Sequence, residues 1–118
     1  MFKGIYTIIF PAPNLQSTKE WYTKILGIEP YFDEAFYVGF NVGGYELGLD
    51  PSLDKDGGPV TYLGVDDAEK AYNHLLENGA KAHGPVHDVG DGIKVGEVID
   101  LNGNIFGIIK NLHFKVGQ

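Results

Sequence analysis

The sequence predicts an α+β fold in which two tandem β-α-β-β-β modules form a cupped mixed sheet with helices on its outer face. Two observations predict this fold. The segments Asn14 to Gly48 and Asp67 to Gly107 show the same order of helix and strand patterns. The hairpin residues that begin at Gly44 also align with those that begin at Gly103. A repeat of roughly fifty residues indicates two supersecondary units that bury their apolar faces together, and we expect a ligand cleft between them.

The length of the chain indicates one domain, because 118 residues are too few for two independent cores. We predict module one over residues 1–50, a polar and glycine-rich linker over 51–59, module two over 60–110 and a short tail over 111–118. No apolar run is long enough to span a membrane, and no secretory signal precedes the first strand. Cysteine is absent, which is compatible with a reducing compartment, so we predict a cytoplasmic protein.

Module one begins with a strand over residues 4–10 that ends at two prolines. Asn14 can cap the following helix, and Gly27 can supply its left-handed C-terminal cap. Apolar residues recur along this helix at three- and four-residue steps, and Trp21 and Tyr22 are expected in the core. Three short β-rich runs follow, at residues 31–32, 36–42 and 45–50.

Module two repeats this order. A strand is predicted over residues 60–65, and Asp67 occupies the N-cap position of a helix that ends at Asn78-Gly79. Three further strands are predicted over residues 81–89, 93–100 and 104–110. The last two are joined by Asn102-Gly103, a strong hairpin signal. Both modules are therefore predicted as β-α-β-β-β.

The charge of the chain narrows the range of partners. The chain has sixteen acidic residues, nine lysines and no arginine, so its formal net charge is −7. Because arginine is the usual residue for bidentate phosphate recognition and for reading guanine, its absence disfavours nucleic acids and phosphate esters. An acidic surface also repels a nucleic-acid backbone. We expect a small-molecule ligand, and the acidic balance favours a cationic or amphipathic one.

Several motifs then occur in a characteristic order. They are Pro13-Asn14-Leu15, Glu20-Trp21-Tyr22, Ile25-Leu26-Gly27, Val65-Asp66-Asp67 and Asp100-Leu101-Asn102-Gly103-Asn104. The chain resembles the vicinal oxygen chelate superfamily, which includes glyoxalase I, the bleomycin-resistance proteins and the extradiol dioxygenases. Leu101 replaces the proline that this family carries in the last motif. The resemblance covers nearly the whole chain, and it implies a homodimer.

The resemblance also implies four metal-ligand positions in metal-dependent relatives. Counting from the helix caps and hairpins places them at Thr7, Gly48, Val60 and Gly107. A divalent metal needs several carboxylate, imidazole or water ligands around one point, and these four residues do not supply them. A one-residue slip would bring Glu46 nearer but would turn the apolar strand face outward. We therefore predict no metal site and no cofactor.

The residues around these positions are predicted to line an apolar cavity. Strand alternation gives its lining as Thr7, Ile9, Gly48, Val60, Tyr62, Ile105 and Gly107. Two interpretations of Gly48 and Gly107 are open: the glycines either mark bends or close sheet-to-helix packing, or they widen the cavity to admit a flat or bulky ligand. Tyr62 is either a lining residue or a core aromatic. Glu46 is expected on a solvated rim.

Three functions are consistent with this sequence. The first is a metal-independent small-molecule binding protein with the ligand in the apolar cavity, similar to the bleomycin-resistance branch. The second is a glyoxalase-type lyase, isomerase or dioxygenase with a displaced metal or an acid-base pair, for which His87 and Glu97 are the candidates. The third is a dimeric structural or regulatory protein with a vestigial cavity. His83 and His87 are otherwise exposed loop histidines.

Overall fold

The computed structural model describes residues 1–113, so most of the predicted tail over 111–118 lies outside the described residues. The elements follow the predicted order, β-α-β-β-β twice. They are β1 (Phe2–Pro11), α1 (Leu15–Leu26), β2 (Phe32–Glu34), β3 (Tyr37–Val42), β4 (Tyr45–Asp50), β5 (Val60–Val65), α2 (Ala68–Glu77), β6 (Lys81–Gly90), β7 (Ile93–Ile99) and β8 (Ile105–Lys110). A short 3-10 turn at Lys55–Gly57, which the sequence did not predict, lies within the linker.

The chain divides into two compact units, and each is described by itself. Of the described residues, Thr7–Pro59 form the amino unit, and Met1–Tyr6 together with residues 60–113 form the carboxy unit. In the amino unit the strand order is β2-β3-β4-β1. The pairs β2–β3 and β3–β4 are antiparallel, whereas β1 and β4 are parallel, so the sheet is mixed as predicted.

Helix α1 begins and ends at the predicted caps. The Asn14 side chain accepts a hydrogen bond from the Ser17 amide, and Gly27 adopts a left-handed φ of 71°. The prediction of a core Trp21 is wrong, because Trp21 is 55% exposed and stacks edge-on against Tyr22. The stripe formed by Leu15, Tyr22 and Leu26 faces the sheet instead, about 120° around the helix axis from Trp21.

The core of the amino unit lies between α1 and one face of its sheet. Val38 and Phe40 from β3 and Leu49 from β4 are fully buried there, together with Ala12. Tyr22 of α1 packs against Phe40 with the ring centroids 6.4 Å apart. This packing fixes which residues of each strand point towards α1, and the alternate residues point to the opposite face.

The carboxy unit has the same architecture. Its strand order is β5-β8-β7-β6, with β5 parallel to β8 and the other two pairs antiparallel. Asp67 caps α2 by accepting a hydrogen bond from the Lys70 amide, as predicted. Its core consists of buried residues from α2, β5, β7 and β8, namely Val65, Ala68, Ala71, Tyr72, Val98 and Ile108. Within residues 1–113 no helix is long and apolar enough to cross a membrane.

Candidate functional site

The sheet face of the amino unit that points away from α1 is unexpectedly polar. Because Leu47 and Leu49 pack towards α1, Glu46 and Gly48 of β4 point to the opposite face. The register places Thr7 of β1 opposite Glu46, and it places Gly39 of β3 opposite Gly48. The predicted lining residue Thr7 is therefore a direct neighbour of Glu46.

Several side chains on this face hydrogen-bond to the Glu46 carboxylate. The buried Thr7 hydroxyl donates to Glu46 Oε1 over 2.8 Å. The Tyr31 hydroxyl donates to Glu46 Oε2, and the Tyr37 hydroxyl is also hydrogen-bonded to this carboxylate. We call Thr7, Tyr31, Tyr37 and Glu46 the Glu46 cluster. Three neutral hydroxyls thus converge on one partly buried carboxylate.

The two phenols of the cluster stay neutral. Burial raises the pKa of the Tyr31 and Tyr37 hydroxyls above the ordinary tyrosine value, and the negative charge of Glu46 raises both further. A phenol that keeps its proton can donate a hydrogen bond but cannot add negative charge. Tyr31 and Tyr37 therefore act as hydrogen-bond donors to Glu46 and add no charge of their own to the cluster.

Glycines make room for these side chains. A Cβ atom on Gly39 would lie 2.7 Å from Glu46 Oε2, and one on Gly48 would lie 2.6 Å from Tyr37 Cζ. Both distances are shorter than any side chain can tolerate, so glycine is required at each position while the tyrosine and the carboxylate stay in place. The interpretation that Gly48 widens a cavity is wrong, because the space above it is filled by Tyr37.

The carboxy unit contains a second arrangement of this kind. On its face opposite α2, the buried Tyr62 donates to Glu97 Oε2 over 2.6 Å. The Tyr62 ring covers Gly107, where a Cβ would lie 3.0 Å from Cζ and nearer still to Cε2. Gly84 lies opposite Glu97 in the β6–β7 register. Gly107, like Gly48, therefore leaves space for a tyrosine ring rather than for an open cavity.

The other predicted residues lie on the same two faces. Ile9 is the register partner of Gly48 in the amino unit. In the carboxy unit Val60 is 7% exposed, and Ile105 is partly buried at the start of β8. A surface depression of about 410 Å³ lies elsewhere in the amino unit, beside α1. Its lining contains none of the predicted residues and consists of Leu15, Gln16, Lys19, Asp33, Glu34, Ala35 and Val38.

The candidate acid-base residues share a sheet face but do not form a pair. Glu97 lies opposite Gly84, and His87 lies opposite Val95, so both side chains point away from α2. His87 is exposed, and its Nδ1 is hydrogen-bonded to the Pro85 carbonyl at 2.9 Å. The Glu97 carboxylate instead accepts from Tyr62. The hydrogen bond of His87 is thus with Pro85, and that of the Glu97 carboxylate is with Tyr62.

The donors at the four inferred metal positions do not fit a divalent ion. The Thr7 hydroxyl is engaged by Glu46, Val60 has no donor atom, and Gly48 and Gly107 lie beneath tyrosine rings. Across residues 1–113 no three His, Asp or Glu side chains are grouped as metal ligands. A site for a hard or borderline metal needs several such ligands around one point.

No sequence pattern marks Tyr31 or Tyr37 as site residues, and Glu46, expected on a solvated rim, is partly buried. One signal was available for Glu46, because it stands two residues before Gly48 on one strand and therefore shares its face. No comparable signal marks Tyr31, which precedes β2. Its backbone amide donates to the Gly39 carbonyl, which holds Tyr31 beside β3 and within reach of Glu46. Its position depends on how the chain enters the sheet.

Two β-α-β-β-β units, each a mixed sheet with one helix on one face, define the class of this protein. The chain belongs to the Glyoxalase/Bleomycin resistance protein/Dioxygenase superfamily, whose sequence profile matches residues 4–108. This match confirms the predicted resemblance to the family. No curated protein matches the chain.

Solved structures show the same fold. Methylmalonyl-CoA epimerase from Streptomyces coelicolor is 15% identical with a TM-score of 0.79, and the alignment covers 95% of this chain and 99% of that chain. The corresponding enzyme from Mycobacterium tuberculosis is 15% identical, with a TM-score of 0.73 and coverage of 92% and 88%. A Legionella pneumophila protein described as an NAD-dependent benzaldehyde dehydrogenase is 16% identical, with a TM-score of 0.73 and coverage of 88% and 96%. At these identities the likeness shows the fold alone.

Proposed function

We propose that this chain is a metal-independent small-molecule binding protein, and that its ligand lies against the sheet face that points away from the helix. The observation that carries the proposal is the chemistry at the four inferred ligand positions. Thr7, Gly48, Val60 and Gly107 offer no metal-binding side chain, and tyrosines fill the space above both glycines. Superfamily membership supports the choice of a sheet face as the binding surface.

The polar character of the amino-unit face supports a binding role rather than a structural one. A partly buried carboxylate loses favourable hydration, so a face that serves only packing is normally apolar. Departures from this rule concentrate at functional sites. The Glu46 cluster is such a departure, because it places one charge and three hydroxyls where the opposite face of the same sheet has only apolar core residues.

An enzyme of the epimerase type is the second candidate. The likeness to methylmalonyl-CoA epimerases favours it, and His87 and Glu97 on one sheet face would be its acid-base groups. Charge argues against it. A coenzyme A thioester carries phosphates, whereas Thr7–Pro11 and strands β2, β3 and β4 contain no lysine, arginine or histidine. Such a surface repels an anionic substrate.

Thermal unfolding with and without ligands tests the proposal. The protein, in excess chelator, is screened against neutral, cationic and anionic aromatic compounds. A compound at about ten times its Kd adds roughly 1.4 kcal/mol, which raises Tm by about 5 °C for a chain of this size. We expect at least one such shift, and we expect it to be the same without chelator.

Two results would contradict the proposal. A shift that appears only after a divalent ion is added would show that binding needs metal. Epimerisation of methylmalonyl-CoA, followed by deuterium exchange of its α-proton in the NMR spectrum, would favour the enzyme, and loss of exchange in Glu97→Gln would assign the base. A broad library that gives no shift would favour a vestigial site.

A further inference from the structure

In the Glu46 cluster a partly buried carboxylate accepts hydrogen bonds from neutral hydroxyls. Among residues 1–113 the ion pairs are Lys3 with Asp66, Lys19 with Asp33 and Lys94 with Glu69, and none includes Glu46. The strands of the amino unit hold four acidic residues and no basic one from Thr7 onward. The negative charge of Glu46 is therefore not balanced within this sheet.

Aromatic rings surround the same carboxylate. Tyr31 and Tyr37 donate to it, and residue Tyr31 is 52% exposed. Phe32 is the register partner of Gly39, so it points to the same face, and its ring centroid lies 6.0 Å from that of Tyr37. The ring centroids of Phe36 and Phe32 are 6.0 Å apart, and Phe36 is 66% exposed. A carboxylate next to several aromatic rings is the environment that attracts an organic cation.

We propose that the Glu46 cluster and the neighbouring ring of Phe32 bind an organic monocation, an amine or a quaternary ammonium group joined to an apolar body. Glu46 would supply the charge, and the exposed face of Tyr31 and the Phe32 ring would contact the apolar body and the cation. This inference rests on the proposed function, because it names the ligand class for that binding face.

The structure separates this ligand class from two others. A divalent metal would need more carboxylates or imidazoles than the one carboxylate in this cluster offers. An anion would be repelled by Glu46, and the strands of the amino unit from Thr7 onward contain no basic residue to offset that repulsion. An organic cation needs only one carboxylate and aromatic contact, and the cluster provides both.

Benzylamine is a suitable probe because it is a cation at neutral pH, and benzyl alcohol is its neutral counterpart of similar shape. Both are titrated in chelator and followed by the NMR signals of the compound and of the tyrosine rings, which detects weak binding. We expect benzylamine to bind at least about tenfold more tightly than benzyl alcohol, because one charge-assisted contact adds about that factor. We expect Glu46→Gln to remove the difference.

Glu20→Gln is the matched control. It lowers the negative charge of the amino unit by the same amount, but Glu20 is exposed on α1 and accepts a hydrogen bond from Gln16 of the same helix. We expect it to change the Kd for benzylamine by less than about twofold, since exposed charges are strongly screened. The far-ultraviolet circular dichroism and Tm of Glu46→Gln establish that it is folded.

A second variant keeps the test decisive if Glu46→Gln does not fold. Tyr31→Leu removes an exposed ring, and we expect it to weaken benzylamine binding about threefold to tenfold, whereas Tyr31→Phe keeps the ring and most of the affinity. Equal binding of benzylamine and benzyl alcohol, or equal effects of Glu46→Gln and Glu20→Gln, would overturn the cation site and leave metal-independent binding intact. Absence of benzylamine binding also overturns the cation site, and the compound screen then judges the proposed function separately.

Discussion

Gly107→Ala is expected to lower the free energy of unfolding by about 3 kcal/mol, because the new Cβ overlaps a buried ring. The ring is that of Tyr62, which is 7% exposed and held by its hydrogen bond to Glu97. Ring carbons of Tyr62, rather than the end of a flexible side chain, occupy the space above Gly107, so a small rotation cannot relieve the overlap. Displacing the ring would also break the 2.6 Å hydrogen bond. Urea denaturation of the variant and the parent measures the difference.

Two comparisons make this expectation specific. Gly57→Ala is the control, since a Cβ there would be 3.9 Å from the nearest atom, and we expect a change within about 0.5 kcal/mol. Gly107→Ala combined with Tyr62→Ala should cost less than the sum of the single changes, because the second removes the obstacle to the first. Additive effects, or a Gly107→Ala as mild as Gly57→Ala, would contradict the packing of Tyr62 over Gly107.

Phe40→Ala is expected to lower the free energy of unfolding by about 4 kcal/mol, as truncation of a fully buried phenylalanine leaves a cavity. Phe40 has no exposed surface and packs with Val38, Leu49 and Tyr22 in the core of the amino unit. Losing the ring removes part of the apolar surface against which α1 packs. Chemical denaturation followed by circular dichroism measures the loss.

Phe36→Ala is the matched control for this truncation. Phe36 is 66% exposed, so the same change of side chain should alter stability by less than about 0.5 kcal/mol. If both variants lose the same stability, Phe40 does not occupy the core that the structure describes. The comparison therefore tests the assignment of the two faces of the amino-unit sheet, on which the position of the Glu46 cluster depends.

The sequence predicts the elements of this fold well because their signals are local. Asn14 and Asp67 cap their helices as expected, and β4 and β5 have the predicted bounds. The error at Trp21 has a different origin. A helix of this kind has apolar residues over a wide arc, and only contact with the sheet decides which of them are buried.

The candidate site could be predicted only in part. Strand alternation correctly placed Thr7 and Gly48 on one face, because alternation is a property of a single strand. The filling of the space above Gly48 and Gly107 depends on tyrosines from other strands, Tyr37 and Tyr62. Which ring covers which glycine follows from register and side-chain rotamers between strands, and a single sequence does not reveal these.

The metal content of the purified protein tests the central claim of a metal-independent binding face most directly. The protein is purified without chelator, its divalent ions are measured by elemental analysis, and benzylamine binding is then compared before and after exhaustive chelation. We predict far less than one ion per chain and an unchanged Kd, because Thr7, Gly48, Val60 and Gly107 supply no ligand set. One tightly bound divalent ion per chain, whose removal abolishes binding, would contradict the account.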